Sequence, residues 1–181
     1  MRHYLAIATL ALLAGSPALA QSVAPSGVAP VSENKVDTDT FTKTLVSANR
    51  FEIDSSKLAL KRGVAADVKD FAELMVKDHT KAGLDFKMAL EQSQTTGSTT
   101  PDGPPLLPKD QAMLDQLKSL DGEAFQAKYI TLQTEAHKQA VAMFSTYAQS
   151  GDDPALKEFA KKTLATLKMH EMHLKDVAAV H

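Results

Sequence analysis

Four stretches of the chain, over residues 39–62, 65–94, 123–149 and from Pro154 onward, place apolar side chains at intervals of three and four. That period puts them on one face of an α-helix and alternates them across both faces of a strand. The seams are Phe41, Leu45, Ala48, Ser55 and Ala59; then Val68, Phe71, Met75, Ala82, Phe86 and Ala89. The third runs through Phe125, Ile130, Gln133, Ala140, Phe144 and Tyr147, and the fourth through Leu156, Phe159, Thr163, Leu167, Leu174 and Val177. Helices striped in this way are stable only when they bury the stripe against one another. Each seam also carries one residue that an apolar interface would not choose: Glu52, His79, His137 and His170 in turn.

Helix signals bound these stretches. Asp37, Thr38 and Asp39 offer N-caps to the first, and Lys61, Arg62 and Gly63 form a natural C-terminus. Ser150-Gly151 ends the third, and Asp152-Asp153-Pro154 opens the fourth in the order expected of a helix start. Residues 95–108 are rich in Thr, Gly and Pro and read as a loop. It is long enough to run back along the stack of helices. A short helix is predicted at 109–120, with Met113, Leu114 and Leu117 apolar. The expected fold is all-α: a ferritin-like four-helix bundle over residues 39–180, with a long central crossover loop and a short extra helix.

The N-terminus reads as a signal peptide over residues 1–20. Arg2 and His3 precede an apolar run from Leu5 to Ala14, and Ala18-Leu19-Ala20 supplies a cleavage pattern. A periplasmic or secreted protein beginning near Gln21 is expected, with residues 21–38 as a flexible Ser/Pro/Gly/Val-rich leader. No stretch offers the roughly 18 apolar residues of a membrane helix, so no integral membrane span is expected. The chain has no cysteine, which excludes disulfides. A formal charge of −2 (−3 without Arg2) and the lack of a basic cluster argue against nucleic acid as a partner.

The four seam residues define the candidate site. From the predicted turns, at about 1.5 Å per residue, Glu52, His79, His137 and His170 all lie on the order of 17–27 Å from a helix end, near mid-bundle. Imidazoles and carboxylates enter cores with partners or with metal. Three neutral imidazoles and a carboxylate suit one divalent transition metal, zinc, iron, manganese or copper. A metal-free hydrogen-bonded cluster that only fixes the packing is the competing expectation. No Glu stands three residues before any His, so the Glu-x-x-His pattern of di-iron proteins is missing and ferroxidase chemistry is not expected. No cysteine or elbow serine offers a nucleophile, and no catalytic residue is assigned. In Met169-His170-Glu171-Met172-His173, a surface copper chelate competes with a plainer reading, favoured here, in which the methionines pad the bundle flank.

Phe71-Ala72, Met75-Val76 and Asp78-His79-Thr80-Lys81-Ala82 on the second helix carry a resemblance. So do Tyr129-Ile130 with Gln133 and His137, and Phe159-Ala160 with Leu164, Leu167 and His170. Across residues 39–180 the chain resembles the bacterial family called domain of unknown function 4142, with Glu52 matching a glutamate of that family. Ala165 departs from a proline often found there. The resemblance implies an exported, ferritin-like protein and brings no established activity. The function expected is that of an exported helical protein that binds a metal for metal handling or stress protection. Its alternative is a non-catalytic envelope or stress protein with a metal-free polar cluster.

Overall fold

The computed structural model describes residues 35–93 and 106–181. The predicted signal peptide, most of the leader and residues 95–105 of the expected crossover loop lie outside the described residues. Within them the chain is all-α, with five helices and no strand: α1 Thr38–Arg62, α2 Ala66–Gln92, α3 Pro108–Lys118, α4 Gly122–Ser150 and α5 Pro154–Ala178. The Asp37 carboxylate caps α1 by accepting from the Thr40 N–H at 2.9 Å, and Asp153 caps α5 by accepting from the Leu156 N–H at 2.9 Å. Gly63 closes α1 at φ 68°, a left-handed conformation that glycine adopts without strain. The short helix ends at Lys118, two residues earlier than the periodicity suggests, because the turn before α4 begins there.

The four long helices pack in a closed ring, α1 on α2, α2 on α5, α5 on α4 and α4 on α1, with α3 laid against α1 and α4. Phe41 stacks on Tyr147 while Ser56 meets Tyr129, so α1 and α4 run antiparallel. Phe86 meets Phe159 and His79 meets His170, so α2 and α5 do the same. α2 and α4 consequently point the same way, and the connection between them must return along the helices.

Two apolar clusters fill the ring. One holds Phe51, Phe71, Met75, Leu117, Phe125 and Tyr129; the other holds Phe41, Phe86, Phe144, Tyr147, Leu156 and Phe159. On α2, α4 and α5 the histidine falls in the sequence gap between the residues given to each cluster, so a polar layer divides the core. A second buried polar contact fixes α3: the Ser47 hydroxyl donates to Asp110 and accepts from the Leu107 N–H at 2.7 Å. Asp110 was outside the predicted seams, since a lone aspartate on a short helix ordinarily faces water.

The α4–α5 turn depends on Gly151. A Cβ there would stand 2.6 Å from the Tyr147 carbonyl oxygen and 2.7 Å from its ring. Tyr147 cannot give way, because its ring stacks on Phe41 at 3.8 Å and its hydroxyl is hydrogen-bonded to Thr38 at 2.5 Å. Gly151→Ala is therefore expected to cost about 1–3 kcal/mol of stability by overpacking, measured by chemical denaturation, while Gly83→Ala, whose Cβ would meet nothing closer than 3.4 Å, serves as the mild control.

Candidate metal centre

His79 on α2, His137 on α4 and His170 on α5 are all buried, and each offers a ring nitrogen within 4.8 Å of the other two. The rings are mutually tilted, with centroids 5.6 Å apart for His79–His137 and His79–His170 and 5.2 Å for His137–His170.

The outer partners decide where each proton sits. His137 Nδ1 lies 3.0 Å from the Gln133 backbone carbonyl, which only accepts, so Nδ1 carries the hydrogen and Nε2 keeps its lone pair. His79 Nδ1 faces the Asn49 side-chain oxygen at 3.0 Å, which leaves its Nε2 bare, and that buried atom has no hydrogen-bond partner. His170 is turned the other way: Nε2 donates to the Asp78 carboxylate at 3.0 Å, and Nδ1 is left unprotonated. Nδ1 of His170 stands 3.2 Å from Nε2 of His137, two lone pairs face to face. Such an arrangement is repulsive until a cation enters it.

The donor set fits a metal. Neutral imidazoles are the ligating form, and burial keeps all three neutral. Desolvation pushes His79 well below the ordinary imidazole range and His137 down to about 4. His170 is also lowered by desolvation, with the Asp78 carboxylate opposing the shift. A tetrahedral ion with bonds of about 2.0–2.1 Å holds its nitrogens about 3.4 Å apart, close to the 3.2 Å His137–His170 spacing. The outer acceptors are what metal-binding histidines use to fix their tautomers.

Glu52, expected among the ligands, stands outside this converging set. It is buried on α1 with Oε1 3.7 Å from Nδ1 of His137, behind the ring rather than on its inner edge. Desolvation, with a smaller contribution from Asp110, pushes its carboxyl up to about 8, and a hydrogen bond from Gln133 opposes the rise. Glu52 Oε2 and Gln133 Oε1 are both buried without a hydrogen-bond partner. Gln133 itself donates to Ser55 at 3.1 Å.

Asn49, Asp78 and the Gln133 carbonyl were missed as orienting groups. Asp78 immediately precedes His79 in sequence, yet it serves His170 on another helix, a pairing that no spacing rule shows. Of the remaining histidines, His173 packs edge-on against Phe71 with centroids 5.3 Å apart, and His181 binds Asp67 at 2.9 Å. Met169 and Met172 are 59% and 64% exposed, so the expectation that they pad the flank is corrected: their positions on α5 turn outward, away from the seam of His170 and Leu174.

This site and ring of helices define an all-α protein with a buried three-histidine centre. The chain belongs to the family described as domain of unknown function DUF4142, which matches residues 23–177. No curated protein matches it. Among solved structures it is similar in fold to CopM in its Cu(II)-bound form, with TM-score 0.65 and 16% identity over 80% of this chain and 97% of that one. It is also similar to a DUF305 fragment from Deinococcus radiodurans, with TM-score 0.64 and 17% identity over 78% of this chain and 94% of that one.

The buried carboxyl sets a pH dependence for the metal-free protein. The folded chain keeps a proton on Glu52 up to about pH 8, whereas the unfolded chain releases it above about 4.5, so stability falls as pH rises through that window. The histidines act oppositely: neutral when folded and protonated when unfolded below about 6.5, they withdraw stability on acidification. The unfolded chain's histidines finish titrating about one pH unit above 6.5, so the Glu52 contribution dominates among these groups only from about pH 7.5 to 8, at on the order of 1 kcal/mol per pH unit. Denaturation of metal-free protein across that range should show the decline, and Glu52→Gln should flatten it.

Proposed function

We propose that this chain is an exported metal-handling protein that holds one transition metal ion, copper foremost, between His79, His137 and His170. The observation that carries the reading is the convergence of three unprotonated ring nitrogens whose hydrogens are all committed outward. Neutral imidazoles suit copper and zinc, and the absence of a carboxylate from the converging set favours these over manganese. The copper(II)-bound state of CopM, a structural neighbour, supports the choice of copper. His79, His137 and His170 bind the ion, the Gln133 carbonyl, Asn49 and Asp78 orient their rings, and Glu52 supports His137 from behind.

The four long helices are assigned to the ferritin-like class. Their ring order, antiparallel neighbours and returning connection between α2 and α4 support that assignment. Export follows from the signal-like residues 1–20 and places the protein in the periplasm or outside the cell. The role is metal handling or protection from metal stress in that compartment.

Protein from residue 21 onward, loaded with Cu(II) or Zn(II) and desalted, should carry one ion per chain by elemental analysis. At 100 times the dissociation constant, metal should add about 2.7 kcal/mol of stability, lost again on chelation. His79→Ala, His137→Ala and His170→Ala should each abolish stoichiometric binding, Asp78→Asn should weaken it about 10–100-fold, and His173→Ala should leave it unchanged. Protein that stays metal-free and melts at the same temperature with or without metal would assign the cluster to packing alone.

A further inference from the structure

A small, partly open cavity of about 40 Å³ adjoins the histidine layer. His79 and His137 contribute to its lining, and Glu52 joins them from α1. The rest is largely apolar, with Leu45, Ala82, Ala140, Phe144, Phe159 and Leu167 among the lining residues. His170 is not among them, so the cavity lies to one side of the three-nitrogen set and leaves the His170–Asp78 contact apart from it.

We propose that this cavity is a ligand chamber: it admits one small uncharged diatomic molecule to the open coordination position of an ion held by the three histidines. The inference rests on the metal-binding reading. Three protein donors leave a four-coordinate ion one position short. An anion entering a mostly apolar chamber would lose its hydration with little in return. A chamber of this size and lining favours a compact apolar guest, as dry apolar cavities in proteins do.

The small residues make the chamber. Ala82 on α2 and Ala140 on α4 are half-buried members of the seams, and a longer side chain at either would project into the space. The chain therefore keeps a gap beside the ligands at positions where leucine or valine would have filled it.

Two probes test the proposal. Metal-free protein with isotope-labelled methyl groups is examined with and without dissolved xenon, which reads the chamber without any metal. Methyl shifts at Ala82, Ala140 and Leu167 that saturate with xenon are expected, and their loss is expected in Ala140→Leu. Protein loaded with Cu(I) and exposed to carbon monoxide should then give one infrared band of a copper-bound carbonyl. Ala140→Leu should lower that band at least 10-fold with copper stoichiometry unchanged, and Ala82→Val provides the same comparison from the opposite helix if Ala140→Leu fails to fold. A protein that binds one Cu(I) but gives no carbonyl band, or whose band is unaltered in both filling variants, overturns the chamber while leaving the metal site standing. A protein that takes up no copper overturns the three-histidine reading and this inference with it, whatever xenon shows.

Discussion

Three imidazole hydrogens point away from one another in this protein, and the rest of the site follows from that. Each ring meets an acceptor on its outer edge: a backbone carbonyl for His137, an amide oxygen for His79 and a carboxylate for His170. Acceptors cannot share a proton that they do not supply, so each ring must place its hydrogen there and turn a lone pair inward. Burial then denies the inner nitrogens the water that would satisfy them, and protonation is suppressed by the same desolvation. The outcome is a cluster of electron pairs inside a folded protein, which the molecule tolerates only because the surrounding packing holds the rings in place.

That packing is divided to make room. The apolar clusters on either side of the histidine layer are each anchored by aromatic contacts, Phe41 on Tyr147 at one end and Phe125 on Tyr129 at the other. A continuous seam of leucine and phenylalanine would have been more stable by the ordinary measure of buried apolar area. The protein instead spends its middle layer on ionisable groups, and Glu52 shows the cost most plainly. It is a carboxyl buried so thoroughly that it holds its proton near neutral pH.

Much of this was legible in the sequence because helical periodicity reports burial directly. The positions of Glu52, His79, His137 and His170 on their seams marked them as inward-facing, and all four are buried. What periodicity does not report is which edge of a ring faces which neighbour. Glu52 shares the layer with the histidines, but it approaches His137 from the protonated side, a distinction set by ring rotation and not by heptad position. Asp78 was hidden for a related reason. It lies off the apolar seam of α2, and only the packing of α2 on α5 brings it to His170. Met169 and Met172 were misjudged because an apolar side chain next to a seam residue was assumed to cover the flank, when its angular position on α5 carries it into solvent.

Nitrogen NMR of the histidine side chains in metal-free protein at neutral pH, followed by metal addition, reads the positions of these protons directly. Three neutral rings are expected, with His79 and His137 protonated at Nδ1 and His170 at Nε2, and a large shift on metal binding confined to the other nitrogen of each. A ring that is charged at neutral pH, or one whose hydrogen lies on the inner nitrogen and stays there when metal is added, would contradict this assignment of protons.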